Sequence, residues 1–166
     1  MNPRKYNMIK GNKEMKCFHL TKIENLYGEE GICSKGLIST CGERSKKIGD
    51  NRSVISFTSK YYTLPVWWLY LYPKTEPEEL CVLTFNIDEE DCINHINSTE
   101  FYTNKCIPPE NINIASFYDK KTMEQIPVIY LKKDPIAYYN DSIFPSKVDV
   151  LIEERPICEL IKKHSR

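Results

Sequence analysis

CFHLTKIENLYGEEGICSKGL, residues 17–37, is the stretch on which the reading of the fold turns. Residues 17–20 read as a short strand. Thr21 then stands where a helix N-cap belongs, and Glu24 follows at capping-box spacing, which predicts a helix that Gly36 stops. His19 lies inside the strand, with Phe18 and Leu20 facing the opposite side. A histidine there, followed at once by a capped helix, sets a two-nitrogen hydrogen-bonding group at the mouth of a cleft. A histidine satisfied by backbone carbonyls is the other reading of the same residue.

Working outward, residues 1–15 are polar and without period, a flexible N-terminal arm, and residues 16–166 read as a single domain. Residues 38–53 are loop by composition, and a loop this long inside a domain is usually functional or mobile. Residues 53–59 alternate Val54, Ser56 and Thr58 against Ile55 and Phe57, a half-buried strand with a hydroxyl face. The aromatic run at 65–72 is short enough to be helix or strand, and period alone leaves both open. Residues 80–88 read as a strand and 88–96 as a short helix with acidic residues in its first turn. Further strands are predicted at 99–106 (halted by Pro108-Pro109), 112–118, 125–131 and 148–152, with a closing helix at 158–163. One early helix followed mostly by strands argues for α+β rather than an alternating βαβ fold.

Composition excludes several classes. Twenty-three basic residues balance 23 acidic ones, so no global field draws the chain to nucleic acid or an anionic membrane. The N-terminus is charged and lacks an apolar h-region, and the apolar run at 64–72 is too short to span a bilayer. The seven cysteines are odd in number and never stand at C-x-x-C spacing, which excludes a zinc ribbon or thioredoxin-type motif. Free thiols in that pattern suit a reducing compartment, so no membrane partner and a cytoplasmic location are expected. None of the six glycines lies beyond Gly49, which removes any Walker loop or dinucleotide fingerprint. His19, His95 and His164 are too scattered to form a metal motif, so no metal site is expected.

The pattern F-H-L-T-x-x-E-N-L at 18–26, G-L at 36–37, and the hydroxyl-rich strand I-S-F-T-S at 55–59 followed by tyrosines resembles small ADP-ribosyltransferase-like proteins. That group includes DNA-modifying toxins and tRNA 2′-phosphotransferases. The resemblance implies two small packed antiparallel sheets with a few short helices and a nucleotide cleft between the sheets. It implies NAD as substrate, with ADP-ribose passed to a macromolecular acceptor, protein or nucleic acid, or to water. A toxin, an antiviral effector and a regulatory enzyme all fit it. A non-catalytic descendant that binds a nucleotide or a protein is the alternative. Carried over by position, His19 and Thr21 fall at the ribose-holding site, Thr58 and Ser59 at the end of the second strand, and Tyr61 or Tyr62 at the nicotinamide-stacking aromatic. The catalytic glutamate falls on Glu100, which begins a strand that runs into I-P-P-E-N-I at 107–112. Asp149 and Glu153 are the other carboxylates in a suitable strand context.

The chemistry agrees with this residue set. NAD carries its own leaving group, nicotinamide, and breaking that bond builds positive character on the sugar. A nearby carboxylate stabilises such a transition state without metal or glycine-rich cradle. RNA 2′-phosphate removal fits less well, since it relies on basic residues around the phosphate and no conspicuous basic cluster is present.

Overall fold

A computed structural model describes residues 13–39, 54–94, 100–131 and 149–160. Its strands are β1 (Glu14–Lys22), β2 (Ile55–Phe57), β3 (Leu80–Asp88), β4 (Ile93–Asn94), β5 (Phe101–Thr103), β6 (Asn113–Asp119) and β7 (Val150–Pro156). Two short helices, α1 (Ile32–Lys35) and α2 (Leu64–Leu71), lie between them. The strands form two antiparallel sheets, one in the order β1-β3-β6-β7 and the other β2-β5-β4. The α+β class with two antiparallel sheets and short helices is as expected.

A backbone bridge joins the sheets. Phe18 and Thr58 exchange both hydrogen bonds, at 2.8 and 3.0 Å. The strands therefore run β4-β5-β2-β1-β3-β6-β7, and the sheet splits where β2 leaves β1.

The larger sheet is covered on both faces. Between the sheets, Cys17, Leu83, Phe85 and Ile87 meet Ile55 and Phe57. On the opposite face, Phe18, Leu20, Val82 and Phe117 pack under α2 residues Leu64 and Trp67. Strand β3 is buried on both faces along most of its length, which is why its sequence is a near-continuous apolar run rather than an alternating one.

Several local expectations are corrected. Thr21 is not an N-cap: β1 continues to Lys22, pairing Thr21 with Cys81. The capping box does not form, and Glu24 instead lies 3.7 Å from Lys22 in an ion pair. The ladder to β3 takes up the backbone of Thr21 and Lys22 and keeps Thr21 extended. The single helix expected up to Gly36 is a 3-10 turn over Ile23–Leu26 followed by α1. Gly28 separates the two with φ +94°, a left-handed conformation no helix contains. Gly36 does stop α1: its φ is +76°, and a side chain there would collide with the Ile107 carbonyl oxygen. Glu14 and Met15 belong to β1 rather than to an arm, paired with Asp88 and Ile87.

The helix expected at 88–96 is a 3-10 turn over Glu89–Asp91 leading into β4, because β5 offers that segment an open edge. The strand expected at 125–131 is a bridge at Gln125 followed by a 3-10 turn over Val128–Tyr130. Pro127 removes the backbone donor a ladder would need there. The strand expected at 99–106 is shorter, and that at 148–152 begins and ends later. The aromatic run resolves as helix α2. The 158–163 helix starts at residue 158, and residues 161–163 lie outside the described residues, as do most of the 38–53 loop, His95 and His164.

Candidate functional site

His19 lies on β1 next to the Phe18–Thr58 bridge, where the two sheets part. On β1 the side chain of His19 projects on the same face as Cys17 and Thr21, toward the smaller sheet. As β2 peels away beyond the Phe18–Thr58 bridge, the Ser56 carbonyl turns to the ring, 2.7 Å from Nδ1. Among the described residues Nε2 has no hydrogen-bond partner, and the side chain is half-buried. Burial holds the imidazole below its usual range, while the Ser56 carbonyl pulls modestly the other way. Burial thus favours the neutral form of the ring.

Thr21, two residues along β1, is buried, and its hydroxyl oxygen accepts a hydrogen bond from Asn25 Nδ2 at 3.0 Å. Sequence reasoning missed Asn25, although its i+4 spacing from Thr21 was the available signal. Ser56 was read only as part of a hydroxyl face; its contribution is a carbonyl, which leaves no mark in sequence.

Thr58 is fully buried, with its hydroxyl 2.8 Å from that of Thr63 and accepting the Lys60 N–H at 3.2 Å. That side chain builds the turn into the tyrosines. Ser59 is half-buried beside it. Tyr61 and Tyr62 open a 3-10 turn and meet edge-to-face, centroids 5.7 Å apart. Tyr61 also packs on Phe18 and Phe117, at 6.3 and 5.9 Å, on the face of the sheet away from His19. Burial raises its phenol, with Tyr62 and Asp149 adding to the effect.

Glu100 is half-buried immediately before β5. Ser56, which anchors His19, pairs with Tyr102, two residues from Glu100. Glu100 thus leads into the strand that pairs with β2, the neighbour of the histidine strand. Asp149 and Glu153 lie on or next to β7, the far edge of the larger sheet. Three strand spacings, roughly 14 Å, separate them from β1. Glu153 is exposed and 3.2 Å from Arg155.

A shallow depression lined by Asp88, Asp91, Lys105 and Cys106 lies at the Glu14 end of β1, roughly 17 Å along the strand from His19. The Lys105–Asp91 ion pair, at 3.2 Å, occupies part of it. Among the described residues no three His, Cys, Asp or Glu side chains are grouped to hold a metal ion. No disulfide links the six described cysteines, and burial lifts Cys17 and Cys81 to about 12. No described helix is long and apolar enough to cross a membrane.

No family model and no curated protein matches the chain. A solved structure, EcPltA, aligns over 74% of this chain and 89% of its own, with TM-score 0.36 and 11% identity. A likeness that low decides neither fold family nor activity.

Proposed function

We propose that this chain is an ADP-ribosyltransferase-like domain that binds NAD where the sheets part and transfers ADP-ribose to a macromolecular acceptor, or to water. The observation that carries the reading is the arrangement of the split: a first-strand histidine beside it, bonded to β2, with the strand that Glu100 leads into one step further across β2. His19 and Thr21 would hold the cofactor ribose, and Glu100 would stabilise the positive charge that develops as nicotinamide leaves. The half-buried Ser59 and Tyr62 sit at the same end of β2.

A second reading has its own support. Tyr61 is committed to Phe18 and Phe117, and the Thr58 hydroxyl to its turn, so two of the expected cofactor contacts serve packing. That favours a descendant of the fold that binds a nucleotide or protein without catalysis.

Calorimetric titration with NAD, alongside chromatographic detection of nicotinamide, separates the two. Binding with nicotinamide release supports the transferase. Binding without consumption, with or without protein and nucleic acid acceptors, supports the non-catalytic descendant. Absence of NAD binding ends the NAD reading.

A further inference from the structure

Strand β7 ends the larger sheet on the side away from β1. It pairs with β6 in an unbroken register, from Asn113–Pro156 to Asp119–Val150. Two bonds flanking that ladder fix its phase: Ile157 N–H donates to the Ile112 carbonyl at 3.1 Å, and Lys120 N–H to the Asp149 carbonyl at 2.9 Å. Backbone groups alternate sides along a strand, so the odd-numbered residues of β7 turn theirs toward β6. The N–H and carbonyl groups of Val150, Ile152 and Glu154 therefore face away from the sheet. Among the described residues no strand pairs with them, which leaves an open edge. Pro156 also faces outward but has no N–H, so the row of donors ends at Glu154.

We propose that β7 pairs antiparallel with β7 of a second copy of this chain, about a two-fold axis at Ile152, so that the two larger sheets join edge to edge. Side-chain charge selects both the partner and the register. A two-fold pairing must set outward groups against outward groups, which allows only centres that fall on a residue. With the axis at Leu151, Asp149 would face Glu153 of the second copy. With the axis at Glu153 or Glu154, that carboxylate would face itself, and Pro156 would stand opposite Val150 or Ile152 where a donor is needed. The axis at Ile152 avoids all of these. Asp149 then faces Arg155 of the second copy, and symmetry repeats that pair. Leu151, 37% exposed, faces Glu153, while Val150 pairs with Glu154 and Ile152 with itself, every N–H present. Arg155 is exposed, and its contact with Glu153, 3.2 Å from Nη2, leaves further guanidinium donors for Asp149. Glu154 is turned inward over β6 to Thr84 and Lys16. Because β7 lies three strands from β1, the pairing leaves the His19 side of each copy uncovered and holds whether or not that side takes NAD.

The test is sedimentation velocity of the full chain over a wide concentration range, with amide hydrogen exchange measured at both ends of it. A monomer–dimer equilibrium is expected in which exchange at Val150, Ile152 and Glu154 slows as dimer forms. Leu151 and Glu153, bonded to β6, should be slow throughout. Asp149→Arg and Arg155→Asp should each weaken dimerisation about tenfold, because symmetry counts the lost pair twice. The double variant Asp149→Arg/Arg155→Asp should restore it, with circular dichroism confirming that each variant is folded. A monomer at every concentration overturns the proposal and leaves the charges and Pro156 as guards against edge pairing. A dimer in which Ile152 and Glu154 exchange as fast as in the monomer also overturns it, placing the contact elsewhere, such as the exposed Val66, Leu69 and Tyr70 of α2. A folded double variant that stays as weak as the single ones overturns the axis at Ile152.

Discussion

Glu154 on β7 reaches across β6 to accept hydrogen bonds from Thr84 on β3 and Lys16 on β1. Its ladder partner on β6 is Ala115, small enough to leave that path open. Partial burial pushes the Glu154 carboxyl up, but the Lys16 and Thr84 bonds and the Lys16 charge outweigh it, and the net direction is down. Folded Glu154 therefore keeps its charge to lower pH than the unfolded chain does. Its stabilisation is complete above the ordinary carboxylate range and is lost as pH falls through the lowered value. His19 responds to acid in the same sense. Its folded value lies below 6.5, so the unfolded chain takes up the proton first, and stability declines as pH drops from 6.5 toward the folded value. Urea midpoints measured against pH should fall in two stages. The upper stage should vanish in His19→Gln and the lower in Glu154→Gln. In addition, Glu154→Ala leaves the fully buried Thr84 hydroxyl without its acceptor and should cost about 1–3 kcal/mol in urea unfolding at neutral pH.

At the scale of elements, the smaller sheet is held by Phe57, which is fully buried, lies edge-to-face with Phe85 at 5.8 Å and stacks on Phe101 at 5.9 Å. Phe57→Ala should destabilise the protein by about 3–5 kcal/mol, read from chemical denaturation, because both sheets lose contact there. The α1 terminus depends on Gly36 for a different reason. Its backbone sits at φ +76° against the Ile107 carbonyl, next to the Leu37–Ile107 bridge that ties α1 to the segment after β5. Gly36→Ala combines strain with collision, so the denaturation midpoint should drop, where conformational entropy alone would raise it. Helix α2 is apolar nearly all round, and Val66, Leu69 and Tyr70 remain exposed on it. Its end is fastened by Trp68, whose Nε1–H donates to the Thr75 carbonyl at 3.0 Å.

For the molecule as a whole, the decisive feature is where one sheet becomes two. Thr58 donates its backbone N–H to Phe18 at 3.0 Å, so Thr58→Pro deletes that bond at the branch point. Under the NAD reading, the variant should lose NAD binding more than global stability predicts, seen as weakened titration heats at temperatures where circular dichroism still reports a folded protein. The same topology ranks the carboxylates. Glu100 is one strand from the histidine anchor, while Asp149 and Glu153 are at the far edge. Under the transferase reading, Glu100→Gln should leave NAD affinity nearly unchanged and lower turnover by orders of magnitude, since the charge acts in the transition state. Asp149→Asn should leave turnover unchanged. The opposite pattern in nicotinamide release would move the catalytic role to β7.

What the amino-acid order determines alone is the local part. The apolar run at 80–88 names a strand buried on both faces, the alternation at 54–58 names a half-buried one, and Gly36 names a stop; each rests on side-chain period or backbone permission within a few residues. The types of residue in the candidate site, a strand histidine, hydroxyls and a strand-leading glutamate, are legible in the same way. What only the tertiary structure decided is where partners come from. Thr21 had the local signature of a cap, but β3 supplied its backbone partners, and nine-residue pairing outweighed a capping box. Residues 89–94 had an acidic helical start, yet the open edge of β5 drew residues 93–94 into a ladder. The hydrogen bond that holds His19 comes from a carbonyl 37 residues away. A carbonyl belongs to every residue alike, so its role could be set only by the fold.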